Sequence, residues 1–376
     1  MQYQPSPRDR YRVILLLGLL LAGCAHAAED GVRINELQVI GSHNSYHAGL
    51  APSEAQFLRT RSPDDFAGLD YRHPTLTRQL DDGVRQLELD IFADRRGGRY
   101  ARPALVEQVA QAGLPADPPF AAAEVMQRPG FKVMHVQDVD QRSNCQPLTA
   151  CLGEIRAWSL AHPRHLPLFI LLETKQEPLH LPFPTVTPET FDPAVFDTLD
   201  ATIASVFARG EYITPDDVRG HSSTLSAAIL RHHAWPTLAA ARGKVIFLMD
   251  QRSMTKPYTQ GHPALRGRIL FTNSTPGDPD AAFVELNDGD ATAINHLVST
   301  GYLVRTRTDA DLKEPRANNT QRRDVLMASG AQILSTDFPT HEAAQSGYVV
   351  EFSGGRVARC NPLLHAKACH DSDLGE

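Results

Sequence analysis

The sequence predicts an α/β fold of the (β/α)8 TIM-barrel type, built as a single domain with loop insertions. Eight apolar runs bounded by turn residues read as strands, and amphipathic helical patterns lie between several of them. Strands that alternate with helices are typical of parallel sheets, and eight of them can close into a barrel. We expect these strands near residues 36–42, 84–92, 131–136, 167–174, 244–250, 268–272, 302–308 and 332–338.

Three helices are predicted from apolar residues spaced three and four apart, over 147–161, 197–209 and 319–329. The first ends before Pro163 and the third is closed by Gly330, as helices commonly end. Two stretches lack such patterns: a long polar insertion at 49–78 and a proline-rich segment at 176–196. We expect the second to be a loop at the mouth of the barrel.

Composition narrows the functional class. The chain has 376 residues, of which 42% are hydrophobic and 22% charged, so it can bury a large core. Its net charge of −7 argues against nonspecific binding to nucleic acids. The same charge disfavours strong electrostatic attraction to anionic lipid, and nothing in the sequence indicates an obligate protein partner.

The N-terminus is typical of an export signal. Three arginines within residues 8–12 precede an apolar run at 13–21 that is too short to span a membrane. Residues 21–24 resemble a bacterial lipobox, which predicts cleavage before Cys24 and lipid on its sulfur; ordinary cleavage after Ala27 is the alternative. The predicted organisation is a signal peptide at 1–23, a linker at 24–35, the barrel at 36–345 and a C-terminal extension at 346–376.

Four cysteines follow Cys24, and an even number in an exported protein suggests disulfides. Four cysteines allow three pairings. We favour Cys145 with Cys151 and Cys360 with Cys369, because each pair closes a short loop.

Three carboxylates lie at strand ends where a buried charge needs a partner. Glu88 and Asp90 flank Leu89, so both point to one face of a strand and repel each other unless a cation lies between them. Glu173 ends the apolar run 168–172. Calcium prefers such hard oxygen ligands. The alternatives are an edge strand exposing Glu88 and Asp90, and a salt bridge from Glu173 to Lys175.

Two histidines, His43 and His135, are predicted to end the first and third strands, next to the strands that carry the carboxylates, and to serve as a proton-transfer pair. Asn44 offers an amide oxygen to a cation, or is merely a turn residue. His43 and His47 are four apart and could bind zinc from a helix, but the residues between them are poor helix formers.

Arg305 and Arg307 alternate along a predicted strand and therefore face one side, which could be the barrel interior. Guanidinium groups there would bind phosphate or a polyol, and Lys175 is a similar candidate. Internal ion pairs with Asp309 or Asp337 are the alternative.

Taken together, His43-Asn44, Glu88-x-Asp90, His135 and Glu173 resemble the active-site set of calcium-dependent phosphatidylinositol-specific phospholipases C, which are TIM barrels. The stretches 301–307 and 334–339 resemble the bacterial secreted branch of that family. The resemblance covers most of residues 36–340.

The resemblance implies calcium held by Asn44, Glu88, Asp90 and Glu173, and a phospholipid substrate at a membrane surface. The inositol 2-hydroxyl would attack phosphorus, Glu88, Glu173 or His43 would take its proton, and His135 would protonate the departing diacylglycerol. Three alternatives stay open: a glycerophosphodiester phosphodiesterase, a phospholipase for another headgroup, and a calcium-dependent surface lipoprotein without catalysis.

Overall fold

The computed structural model describes residues 31–232, 234–310 and 312–376. The predicted signal peptide, Cys24 and most of the predicted linker lie outside these residues. Within the described ranges, no helix is both long and apolar enough to cross a bilayer.

Eleven strands and fourteen α-helices are present in the described residues, joined by short 3₁₀ turns. The strands are β1 Leu37–Ser42, β2 Gln86–Phe92, β3 Lys132–Val133, β4 Leu168–Thr174, β5 Tyr212–Ile213, β6 Val245–Met249, β7 Phe271–Thr272, β8 Phe283–Glu285, β9 Leu303–Arg307, β10 Ile333–Thr336 and β11 Ala358–Cys360. The helices are α1 Pro52–Arg61, α2 Pro63–Leu69, α3 Leu76–Asp81, α4 Ala104–Gln111, α5 Ala123–Gln127, α6 Leu148–Ala161, α7 Pro193–Val206, α8 Pro215–Arg219, α9 Leu225–His232, α10 Leu238–Ala241, α11 Thr255–Thr259, α12 Ala291–Thr300, α13 Lys313–Arg316 and α14 Gln321–Ala328.

Eight parallel strands form a closed ring, which confirms the predicted barrel. Its order is β1, β2, β4, β6, β7, β8, β9 and β10, and β10 pairs again with β1. A parallel bridge between Asn273 and Phe283 joins β7 to β8 and completes the circuit. The strands β2, β4 and β6 are buried along almost their whole length, as apolar runs in a parallel sheet require.

One predicted barrel strand was wrong. The apolar run at 131–136 forms only the two-residue strand β3, which pairs antiparallel with the end of β2 and does not belong to the ring. The eighth barrel strand is instead β8, which has three residues and therefore gives no detectable sequence pattern. His135 consequently follows a short side strand, not a barrel strand.

The segments outside the ring shape its two ends. The polar insertion at 49–78 folds into α1, α2 and α3, while 176–192 has no helix or strand, as expected of a loop. In the C-terminal extension, β11 pairs antiparallel with the start of β1. Both favoured disulfides are present, Cys145–Cys151 and Cys360–Cys369.

Candidate functional site

Three carboxylates meet between β2 and β4: Glu88 and Asp90 lie within β2, and Glu173 lies near the C-terminal end of β4. These three residues are here called the carboxylate cluster. In the parallel pairing of the two strands, Asp90 lies directly beside Glu173. Each side chain offers an oxygen within 4.8 Å of those of the others. Glu88 is 2% exposed and Asp90 is fully buried. The alternative of a solvent-exposed edge strand was therefore wrong.

The carboxylate cluster fits a hard cation. Burial raises the pKa of Glu88 to about 7, and burial together with the charge of Glu173 raises the pKa of Asp90 well above its ordinary value. The Oδ1 atom of Asp90 is buried and has no hydrogen-bond partner. Buried carboxylates that repel one another and keep an oxygen without a hydrogen-bond partner are ligands that calcium stabilises.

Lys175 binds the same carboxylates. Its Nζ lies 2.7 Å from Oε1 of Glu173 and 2.9 Å from Oδ2 of Asp90. The salt bridge considered as an alternative is therefore present, within the cluster. Burial raises the pKa of Glu173, but the Lys175 ammonium outweighs that effect and the pKa lies below its ordinary value.

The turn after β1 places Asn44 next to Ser45, which is bonded to strand β2 of the cluster. Gly41 precedes it, where a Cβ would lie 2.0 Å from Oε1 of Gln86, so β1 approaches β2 only with glycine there. Ser45 then ties the turn to Glu88: its N–H donates to the Glu88 carbonyl at 3.1 Å, and its Oγ accepts from the Glu88 N–H at 2.8 Å. Asn44 is 1% exposed; its Nδ2 donates to the Tyr71 hydroxyl at 2.7 Å, and its Oδ1 accepts from the Tyr46 hydroxyl at 3.4 Å.

His43 lies between the carboxylate of Asp337 and that of Glu88. Its Nδ1 donates to Oδ1 of Asp337 at 2.7 Å, and its Nε2 lies 3.6 Å from Oε1 of Glu88. Burial and the nearby Arg307 charge lower the pKa of His43 well below its ordinary value, although Asp337 opposes them. The ring is therefore neutral and presents an unprotonated Nε2 beside the carboxylate cluster. The 43–46 segment is a turn, so the helical zinc site with His47 was wrong.

His135 and His47 bind one buried carboxylate. A tight turn at 136–140, with Asp138 at a positive φ of 67°, folds Asp140 back onto His135. The Nδ1 of His135 lies 2.9 Å and the Nε2 of His47 lies 2.7 Å from Oδ2 of Asp140. Burial raises the pKa of Asp140, but the two imidazoles outweigh it and hold the pKa well below its ordinary value.

Both strand β9 arginines point into the barrel. Arg305 is 1% exposed and binds Glu88, Glu285 at 2.8 Å and Ser335 at 3.0 Å. Arg307 donates through Nη2 to Asp337 at 2.8 Å and to Asp309 at 3.2 Å. Internal ion pairing is thus present for both. Arg307 also lines the mouth of the barrel, where it can meet a ligand.

Sequence reasoning missed two carboxylates of this interior. Asp250 follows β6 and Glu285 ends β8, and burial raises the pKa of each. Asp250 directly follows an apolar strand, which is the signal that identified Glu173. Glu285 had no such signal because β8 is so short. The C-terminal ends of the barrel strands therefore carry more acidic side chains than the sequence indicated.

A cavity of about 740 Å³ opens over the two histidines and is here called the mouth cavity. Its lining combines polar and apolar side chains, and the proline-rich loop contributes Leu179 and Leu181. Its lining includes His43, Tyr71, His135, Val136, Val139, Arg307, Lys313, Arg316 and Asp337. A ligand with an anionic head and an apolar body suits such a cavity.

Comparison with known proteins identifies the family to which the chain is similar. Residues 32–362 match the family described as phosphoinositide phospholipase C, Ca²⁺-dependent. A calcium-dependent phosphoinositol-specific phospholipase C from Pseudomonas sp. in an apo form is similar in fold, with a TM-score of 0.53 and 17% identity over 89% of this chain and 96% of that chain.

The structure of that Pseudomonas enzyme described as a myoinositol complex has a TM-score of 0.52 and 18% identity, over 89% of this chain and 97% of that one. No curated protein sequence matches the chain.

Proposed function

The chain belongs to the calcium-dependent phosphoinositide phospholipase C family, and from that premise we propose that it cleaves the phosphate–diacylglycerol bond of phosphatidylinositol. The observation that carries the proposal is the carboxylate cluster beside the Asp337-bound His43. The family is one of phosphodiesterases that act on phosphoinositide lipids and use calcium, which favours this activity over the glycerophosphodiesterase and the non-catalytic binder.

Asn44, Glu88, Asp90 and Glu173 are the residues proposed to hold calcium. When bound, the ion would neutralise the phosphate and make the inositol 2-hydroxyl more acidic. Lys175 would compensate the excess negative charge of these residues, and Arg305 would keep Glu88 in place from the opposite side. Arg307 and Lys175 are further proposed to contact the phosphate or the inositol ring.

His43 acts as the general base in this proposal. The 2-hydroxyl oxygen forms a bond to phosphorus while its proton passes to Nε2 of His43, and the Asp337 carboxylate stabilises the imidazolium that results. The pKa of His43 is lowered by burial, so the ring is neutral and able to accept a proton at neutral pH. Glu88, 3.6 Å away, is the alternative base.

His135 acts as the general acid. The bond from phosphorus to the glycerol oxygen breaks, and the imidazolium form of His135, protonated on both ring nitrogens, gives its Nε2 proton to that oxygen. This step releases diacylglycerol and a cyclic inositol phosphate and leaves a neutral ring with its proton on Nδ1. Asp140 accepts from Nδ1, so it is placed to hold the ring with Nε2 towards the mouth cavity. The apolar side chains in the lining of that cavity, such as Leu179 and Leu181, would receive the glycerol end of the lipid.

The protein is also proposed to act outside the cytoplasm, at a membrane surface. Two disulfides fit an oxidising compartment. Lipid attachment at Cys24 stays a prediction, which fractionation of cells expressing wild-type protein and Cys24→Ser would test.

A substrate panel tests the activity. We expect vesicles of phosphatidylinositol to be cleaved with calcium, and vesicles of phosphatidylcholine or the soluble glycerophosphoinositol to be cleaved much more slowly. Preferential cleavage of glycerophosphoinositol would instead identify a glycerophosphodiesterase.

A further inference from the structure

We propose that His47 is a positioning residue of this site, which acts through Asp140 to fix the orientation and tautomer of His135. The inference deepens the proposed function, because it rests on the acid role given there to His135. It concerns a side chain that the mechanism above does not use.

The three groups share one oxygen atom. Oδ2 of Asp140 is within 2.7 Å of Nε2 of His47 and within 2.9 Å of Nδ1 of His135, while Oδ1 of Asp140 is buried without a hydrogen-bond partner. The two rings meet nearly at right angles, at 81°, with centroids 5.9 Å apart. The hydrogen bonding of the carboxylate side chain therefore depends on these two imidazoles.

Burial fixes the tautomer of His47. The residue is fully buried, and its Nδ1 has no hydrogen-bond partner. A proton on that nitrogen would be a buried donor without an acceptor, which costs free energy. The proton of the neutral ring therefore lies on Nε2, where it is donated to Asp140.

The hydrogen bond from His47 to Asp140 determines which ring nitrogen of His135 carries the proton and which faces the mouth cavity. With Oδ2 held as an acceptor between two donors, His135 places its own N–H on Nδ1. Its Nε2 is left towards the mouth cavity, which His135 lines and where the departing oxygen would lie. The ring is 21% exposed, so without a rigid partner it could turn towards solvent.

His47 itself cannot move easily. Its ring packs against Tyr71 with centroids 4.4 Å apart. Its backbone N–H donates to the Asn44 carbonyl at 2.8 Å, and its carbonyl accepts from His73 N–H at 2.8 Å. A ring fixed in this way gives Asp140 a rigid support that a solvent-exposed donor would not give.

Two variants of His47 test the proposal. His47→Leu removes the donor and keeps an apolar side chain, so kcat for phosphatidylinositol should fall about 10- to 100-fold, as for other residues that orient an active-site group, with KM nearly unchanged. His47→Gln restores an N–H near the position of Nε2 and should recover most of that loss. His165→Leu is the matched control: it removes another buried histidine, bonded to Ser159 at 2.7 Å before the start of β4, and should leave kcat unchanged.

The tautomer gives a readout that needs no activity. In ¹⁵N spectra of the wild-type protein, the neutral His135 ring, identified by its absence from His135→Ala, should carry its proton on Nδ1. In the His47→Leu variant, part of the neutral His135 population should carry its proton on Nε2 instead.

A neutral wild-type His135 ring with its proton on Nε2 instead of Nδ1 would overturn the proposal, as would a folded His47→Leu variant with full kcat. Equal losses in the Gln and Leu variants would also overturn it, since they indicate a purely structural role. If the wild-type protein cleaves no phosphatidylinositol, the proposed function fails, and the spectra still decide the positioning role.

Discussion

Nδ1 of His43 lies 2.7 Å from Oδ1 of Asp337, whose other oxygen accepts from Arg307 at 2.8 Å. The carboxylate therefore joins the proposed base to the partly buried guanidinium of Arg307. Burial raises the pKa of Asp337, but Arg307 and His43 outweigh it and hold the pKa well below its ordinary value. Asp337 thus stays ionised and can stabilise an imidazolium at His43.

Asp337→Asn should lower kcat about 100-fold or more, because the imidazolium loses its counter-charge. Steady-state assays with phosphatidylinositol measure this effect. Asp309→Asn is the control, since Asp309 also binds Arg307, at 3.2 Å. If the two variants lose activity equally, the effect passes through Arg307 and not through His43.

His135→Ala should abolish measurable turnover, since general acid catalysis contributes about 10²- to 10⁴-fold and the departing alkoxide is a poor leaving group. Calcium binding should stay near that of the wild-type protein when measured by calorimetry. A variant that retains full activity would remove His135 from the mechanism.

Asp90→Asn should weaken calcium binding by at least about tenfold, because it removes one charge from the carboxylate cluster. Glu88→Ala should likewise raise the calcium concentration that is needed for activity. Calorimetric titration gives the affinity directly. Asp94→Asn is the control: Asp94 is equally buried but pairs with Lys132 at 3.4 Å, so calcium affinity should not change. Equal losses in the Asp90 and Asp94 variants would contradict the assigned ligands.

The stability contributed by Asp140 should depend on pH. Its pKa is lowered in the folded protein, so between that value and the ordinary value of about 4 the unfolded chain binds more protons. The stabilisation by Asp140 is therefore complete at pH values above the pKa that this residue has in the unfolded chain. It is lost as the pH falls towards the lower pKa that the residue has in the folded protein. Urea unfolding of wild-type protein and Asp140→Asn should show a stability difference that narrows from pH 6 to pH 3. A constant difference would contradict the assigned charge.

The Cys360–Cys369 disulfide should stabilise the fold without affecting chemistry. Replacing both cysteines by serine should lower the free energy of unfolding by about 2–3 kcal/mol, as expected for a loop of this length. Strand β11 pairs with Leu37–Val39, at the end of β1 opposite the site, so kcat at 25 °C should be unchanged. A large loss of kcat in the folded variant would contradict this separation.

The barrel and much of the candidate site could be predicted from the sequence because their signals are local. An ionisable residue such as Glu173 at the end of a buried strand is conspicuous, and strand alternation places Glu88 and Asp90 on one face. Asp250 carried the same signal and could have been found.

The rest depends on contacts between distant segments. The local sequence does not distinguish β3 from a barrel strand, although β3 pairs antiparallel beside the ring. An apolar run indicates that a strand is buried but not which strand it pairs with. The bond from His47 to Asp140 spans 93 positions and arises only when a turn folds Asp140 onto His135. The spacing of residues along the sequence does not predict such pairs.

The central claim is tested most directly by ³¹P NMR of phosphatidylinositol vesicles incubated with the protein. We predict that a cyclic inositol phosphate signal grows with calcium present and is absent when the ion is chelated. Cleavage that proceeds equally well in chelator, or calcium-dependent cleavage on the other side of the phosphate, would contradict the account.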